Sequence, residues 1–248
     1  MKSLNKALDI IEMIAQRGSL GIRELSSFVG FPVGTTHRIV ATLAKRRFLV
    51  QDPASRNYSL SLRFLELGTR VQQQFNLTSI ARPYLEKLMQ ETGESANLAV
   101  LDRDDAVYLD HVRSNHMLQL FTRLGARVPL YATGVGKMFL SRLSEQELKD
   151  YLARTAMAAR TPRTIVNADN LAKELAQIRK AGFAVDNEEM EEGVRCVAAM
   201  VFDHMKRPVA ALSLSGAVTR ITPERIEYFG EMVKQYAIRI SESLGFNS

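Results

Sequence analysis

Three sets of residues in this 248-residue chain are of types that could do chemistry. The first lies in PVGTTHRIVATLAKRRFLV, residues 32–50, where Gly34, Thr35, Thr36, His37, Arg38, Thr42, Lys45 and Arg46 stand in a stretch with no acid from 25 to 51. Guanidinium, ammonium and hydroxyl groups suit phosphate oxygens, and an arginine or imidazole can also reach base edges. The second set is scattered: Thr133-Gly134-Val135-Gly136, Asp186, Val194 and Cys196 in VRCVA, and Ser213 and Ser215 in ALSLS. The TGVG run opens a helix whose first N–H groups are free, so it favours an anion. Alternation puts the two serines on one strand face and Leu212 and Leu214 on the other, with Val194 and Cys196 likewise sharing a face. Nothing in the sequence alone brings these scattered pieces together. The third set is weak. His111 and His116 are five apart with no cysteine near, which is not a metal-ligand spacing. TGVGK has Tyr131 and Met138 where a phosphate-binding Walker loop needs glycine and a hydroxyl residue.

The elements that must carry these residues follow from periodicity and charge. Residues 1–63 hold ten Lys and Arg against four Asp and Glu, whereas residues 64–248 hold 23 of each, so the whole net charge of +6 sits in the first quarter. A segment with one sign of charge attracts a polyanion, although a basic surface can also serve solubility alone. Leu4, Leu8, Ile11 and Ile14 mark a first helix capped by Ser3, and Gly18 to Gly21 break it. Ile22, Leu25 and Phe28 mark a second helix stopped by Gly30, and Pro32 enters the first turn of a third. Two helices joined by so short a turn form a helix-turn-helix, about Ile22 to Ala41. On the third helix Thr36, Ile39, Val40 and Leu43 face a core. Gly34, Arg38, Ala41 and Lys45 face outward, flanked by Thr35, His37 and Thr42. FLVQ and NYSLS, separated by the turn-forming DPASR, read as a hairpin wing with Arg56 at its tip.

Beyond residue 63 a linker helix is expected over 64–76, then a helix over 77–92 interrupted or started by Pro83. Strands follow in SANLAVL, AVYLDHV and LQLF, then helices from ATGVGKMFLSRL, after Ser144 (a capping box) and from Ala168 to Ala181. Strands GFAVD, VRCVAAMVFD and PVAALSLS precede a last helix over Pro223 to Leu244. Strand clusters flanked by helices predict an α+β domain with a mainly antiparallel sheet. One cysteine excludes an intrachain disulfide. The start lacks a signal-peptide core, and no run reaches the ~18 apolar residues of a membrane span, so a cytoplasmic protein without a membrane partner is expected.

The order SLNKALDII, IRELSSFVGFPVGTTHRIVATL, FLVQD and YSLSLRFLELG resembles the N-terminal domain of IclR-type transcriptional regulators. GFAVDNEEMEEGVRCVAAMVFD, Gly182 to Asp203, is similar to that family's C-terminal signature. The resemblance implies a winged helix-turn-helix over 1–63 that binds double-stranded operator DNA, the linker over 64–76, and a GAF-like effector and oligomerisation domain over 77–248. It implies one small-ligand pocket lined by Gly134, Val135, Asp186, Cys196, Ser213 and Ser215, with Leu120, Val128 and Val194 as apolar wall. A small oxygenated metabolite, often a carboxylate, would fit it. The resemblance also implies dimers and dimers of dimers, and the apolar positions of the first and linker helices are candidates for the seam. No cofactor, metal or catalytic residue is expected. The acidic run Glu188 to Glu192 reads as a solvated loop able to cover the pocket. The alternative is an enzyme with Cys196 as nucleophile, assisted by Asp186 or a histidine. No G-x-S-x-G and no supporting histidine motif favours it, and a lone cysteine is more often a small buried hydrophobe.

Overall fold

A computed structural model describes residues 2–67, 77–116 and 123–247. The chain divides into two compact units, Met1–Phe75 and Asn76–Ser248, each considered by itself below.

The first unit is a winged helix-turn-helix. Helices α1 (Lys2–Arg17), α2 (Ile22–Val29) and α3 (Val33–Lys45) are followed by strands β1 (Leu49–Gln51) and β2 (Tyr58–Leu60). Ile10, Ile14, Leu25, Val40, Leu49 and Tyr58 close its core. The core stripe of α1 is therefore Ile10 and Ile14, while Leu4 and Leu8 lie exposed at 66% and 49%. Ser3 falls inside α1 and Pro32 is the N-cap of α3, each one step from its expected place. Gly30 ends α2 in the left-handed region (φ 67°), where a glycine escapes the Cβ clash. β1 and β2 pair with Leu49 opposite Leu60. Leu20, between α1 and α2, bridges to Tyr58: each backbone N–H donates to the other's carbonyl, at 3.0 and 2.8 Å. The linker helix expected over 64–76 is described only in part: residues 63–67 are helical, and the rest lies outside the described residues.

The second unit is α+β. Its six-stranded antiparallel sheet runs in the order β5-β4-β3-β8-β7-β6. The strands are β3 (Ser95–Asp102), β4 (Asp105–Val112), β5 (Arg127–Pro129), β6 (Phe183–Asn187), β7 (Val194–Phe202) and β8 (Pro208–Ala217). Strand β5 was not expected from the sequence; the expected strand LQLF lies wholly outside the described residues. On one face Leu98, Leu212 and Leu214 pack on helices α4 (Leu77–Thr92) and α8 (Ile226–Ser243). Pro83 sits within α4. A single 3-10 turn, Pro223–Arg225, precedes α8.

The other face carries small residues, Ala99, Ala184, Ala198 and Ala211, and packs on α5 (Gly134–Leu140), α6 (Glu145–Arg154) and α7 (Ala168–Ala181). Their size lets α5 approach the sheet closely. Gly136 allows a second close approach, to the chain just after β5, since a Cβ there would lie 2.3 Å from Leu130 Cα. Ser144 and Glu147 form the capping box of α6, and Gly182 stops α7 with φ 79°.

Candidate functional site

The first candidate site is the outer face of α3. Gly34, His37, Arg38, Ala41, Thr42, Lys45 and Arg46 are exposed, and Thr35 is half-buried. A Cβ at Gly34 would meet nothing within 4 Å, so internal packing does not demand glycine there. The bare backbone instead allows close approach from outside. Thr36 does not belong with this set. It is fully buried, and its hydroxyl donates to the Pro32 carbonyl at 3.3 Å, because its place on the wheel faces the core. The Thr42 hydroxyl donates to the Arg38 carbonyl at 2.8 Å.

Arg56 tips the wing with a left-handed φ of 61°. The turn is held by Asp52, whose carboxylate accepts from the Ser55 N–H and hydroxyl at 2.6 and 2.8 Å. These bonds hold the Asp52 carboxyl below its ordinary range. Arg23, His37 and Arg56 line one groove between α2, α3 and the wing. Lys6 and Arg38 line another, between α1 and α3. Arg23 and Lys6 were missed in the sequence, although the lopsided charge of this unit pointed to every cation in it. Among the described residues, the one ion pair of this unit joins Arg63 and Glu66 at 3.0 Å. No cation of α3 or the wing is ion-paired among the described residues, although Glu24 lines the groove shared by His37 and Arg56.

The second candidate site lies on the alanine face of the sheet, and strand register assembles it. Asp186 pairs with Cys196, Cys196 with Ser215, and Ser215 with Ser95. In the next row Ala198 pairs with Ser213, Ser213 with Asn97, and Asn97 with His111. Gly134 reaches the same place from α5: a Cβ on it would sit 3.4 Å from Ala198 Cβ and 3.6 Å from the Asp186 N–H nitrogen. Asp186, Cys196, Ser213, Ser215 and the start of α5 are thus brought together. Val194 heads β7, half-buried, two residues before Cys196. Val135 is buried within α5. Val128 stands half-buried on β5 in the same apolar layer, but no hydrogen-bonded rung links it to the serine rows. Leu120 lies outside the described residues.

The chemistry of this face is set by burial. Asn97 Nδ2 donates to Ser213 Oγ at 3.2 Å and Ser215 Oγ at 3.0 Å. Both serine oxygens act as acceptors there, so their hydroxyl hydrogens can turn to an incoming anion. Asp186 Oδ1 accepts from the Glu189 and Met190 N–H groups at 2.8 and 3.3 Å. Burial nevertheless pushes its carboxyl up to about 7. Burial first, then the Asp186 charge, also raises the Cys196 thiol far above its ordinary value. Tyr108 packs against the same alanine face, and burial, then the charges of Cys196 and Asp186, raise its phenol far above the ordinary value. A thiol held neutral is a poor nucleophile, which argues against the Cys196 enzyme.

The acidic run needs correction. Glu191 and Glu192 are exposed, but Glu189 is buried, and its carboxylate accepts from Lys137 Nζ at 2.5 Å. Lys137 itself has no exposed surface and also contacts Glu174 at 3.1 Å. The Thr161 and Thr164 hydroxyls donate to the Glu188 and Glu189 carbonyls at 2.6 and 2.7 Å. This segment is anchored rather than loosely solvated, because Lys137 would otherwise be a buried unpaired charge.

Two family models match the chain: "IclR helix-turn-helix domain" over residues 3–53 and "Bacterial transcriptional regulator IclR C-terminal" over residues 69–242. The chain belongs to the IclR family of transcriptional regulators. It is 37% identical to the transcriptional repressor IclR of Escherichia coli K12, over 99% of this chain and 90% of that one. It is 34% identical to the regulator KdgR of the same organism, over 100% and 94%. The solved structure of Thermotoga maritima IclR matches with a TM-score of 0.67 at 35% identity, covering 99% of this chain and 100% of that one. As an IclR-family member the chain is a DNA-binding transcriptional regulator. No described helix is long and apolar enough to cross a membrane.

Proposed function

We propose that the chain represses transcription in the cytoplasm by binding operator DNA as a dimer or dimer of dimers, and that a small carboxylate bound on the second unit's polar face changes that binding. The observation that carries the reading is the outer face of α3: exposed cations without an ion-pair partner among the described residues, and a bare glycine beside them. Helix α3 would lie in the major groove, with Arg38 and His37 toward base edges and Lys45, Arg46 and the wing's Arg56 on phosphates. One such helix reads only a few base pairs, so two copies over paired half-sites are needed. The exposed Leu4 and Leu8 of α1 support a seam between copies. On the second unit the hydroxyls of Ser213 and Ser215 and the N–H groups of Gly134 and Val135 would hold the carboxylate. A ligand shifts DNA binding only by its differential affinity for two states of the protein.

The test is a mobility shift with DNA flanking the chain's own gene, with and without a panel of small carboxylates. Sequence-selective retardation relieved by one of them is expected. Ser213→Ala with Ser215→Ala should lose the relief and keep the DNA affinity. Retardation no stronger than on random DNA would sink the regulatory reading, and an unchanged response in the double variant would move the ligand elsewhere.

A further inference from the structure

The polar face holds one group that the carboxylate reading leaves unused. His111 stands on β4 opposite Asn97, and its Nδ1 lies 2.7 Å from Asn97 Oδ1. The other end of that amide is committed, because Nδ2 donates to both serines. A carbonyl oxygen only accepts, so His111 Nδ1 carries the ring proton and Nε2 is a bare acceptor. Nε2 is closed off from solvent, and no donor among the described residues reaches it. A buried acceptor without a donor is rare in a folded protein and calls for an explanation. Burial, and then Arg113, hold the ring below its ordinary pKa, which keeps it neutral at pH 7.

We infer that His111 Nε2 accepts a hydrogen bond from a hydroxyl of the effector, which makes the effector a hydroxy acid rather than a plain carboxylate. The inference rests on the serine rows being the carboxylate site. Its reach follows from the chain of contacts. Ser215 Oγ and His111 Nε2 are joined by two hydrogen bonds, 3.0 and 2.7 Å, across one amide and one imidazole ring. That path is at most about 10 Å long, short enough for one small ligand to touch both ends. A hydroxyl on the β- or γ-carbon of a small acid lies within that reach. Asn97 is the positioning residue: by accepting from Nδ1 it fixes which ring nitrogen faces the ligand.

The test is calorimetric titration of the full chain with butyrate, 3-hydroxybutyrate, 4-hydroxybutyrate and succinate. One of the hydroxybutyrates should bind roughly tenfold more tightly than butyrate, in line with one added neutral hydrogen bond. Succinate should gain nothing. His111→Leu should erase the preference and leave the butyrate Kd within about twofold, again because only that one bond is lost. Nitrogen-15 spectra of the histidine rings read the same point without a variant: an Nδ1–H tautomer for His111, with Nε2 moving on addition of hydroxybutyrate and not of butyrate. Butyrate that binds as well as both hydroxy acids, or a preference that survives His111→Leu, overturns the inference and leaves the carboxylate site standing. Succinate binding most tightly, or an Nε2–H tautomer, also overturns it. If none of the four acids binds, the carboxylate site falls and the inference falls with it.

Discussion

In the first unit Arg38, Lys45, Arg46 and Arg56 are exposed and form no ion pair among the described residues. In the second, Lys137 lies wholly within protein between Glu174 and Glu189. The same kind of charge is put to opposite uses. An outward cation keeps its hydration and reach, contributes little to folding, and stays available to a polyanion. An enclosed cation has given up water for two carboxylates, and its removal alone leaves a buried charge without a partner. Substitutions in the first unit should therefore change what the protein binds, and those in the second should first change whether it folds.

The largest break should come from Lys137→Ala. It leaves Glu189 buried without its partner, and urea unfolding should show a loss of about 3–5 kcal/mol. Lys137→Met with Glu189→Leu should recover most of that, since the unpaired charge is gone. A double variant as unstable as the single one would mean that the ion pair was not the cause.

Asp186 sharpens the comparison through pH. Its folded-state pKa of about 7 lies above the ordinary 3.8. Between those two values the unfolded chain gives up a proton that the folded chain keeps, so stability falls as pH rises from about 4 to about 7 and is level beyond. Asp186→Asn should remove that decline, which a shift of this size sets on the order of 4 kcal/mol. Parallel stability-against-pH curves for parent and variant would show that the carboxyl is not perturbed.

In the first unit Arg38→Ala should cost about 1–3 kcal/mol of operator binding and relax selectivity at one base position. Its melting temperature should match the parent's. Binding that drops equally on operator and random DNA would recast Arg38 as a phosphate contact. The smallest effect should be that of Arg56→Ala, a weakening shared by all sequences, with the slope of log affinity against log salt reduced by about 1. An unchanged slope would leave the wing off the backbone.

The two regions also differed in how much of them could be read from the sequence. The face of α3 was legible because helical period and charge are local: the wheel that put Gly34 and Arg38 outside also put Thr36 inside. The wing was legible from DPASR for the same reason. The polar face of the second unit is built by register across β6, β7, β8, β3 and β4, and register is a long-range property. Family resemblance supplied Asp186, Cys196, Ser213 and Ser215, but not Asn97 or His111, which complete the network. Asn97 did leave a trace, as the lone amide in SANLAVL, where all the residues after Ser95 are otherwise apolar. Lys137 left one too, as the single charge in GVGKMFL. Each marks a polar group in a stretch bound for the interior, where a partner must be waiting. The sequence does not show that Glu189 is that partner, because 52 residues separate it from Lys137.

The pair of backbone hydrogen bonds between Leu20 and Tyr58 ties the wing to the chain just ahead of α2. Wing and helices consequently form a caliper with its jaws locked. On the proposed reading, the gap between Arg56 and the face of α3 acts as a gauge that these bonds hold, so an effector would act on where each unit is set down along the duplex and not on how wide a stretch it measures.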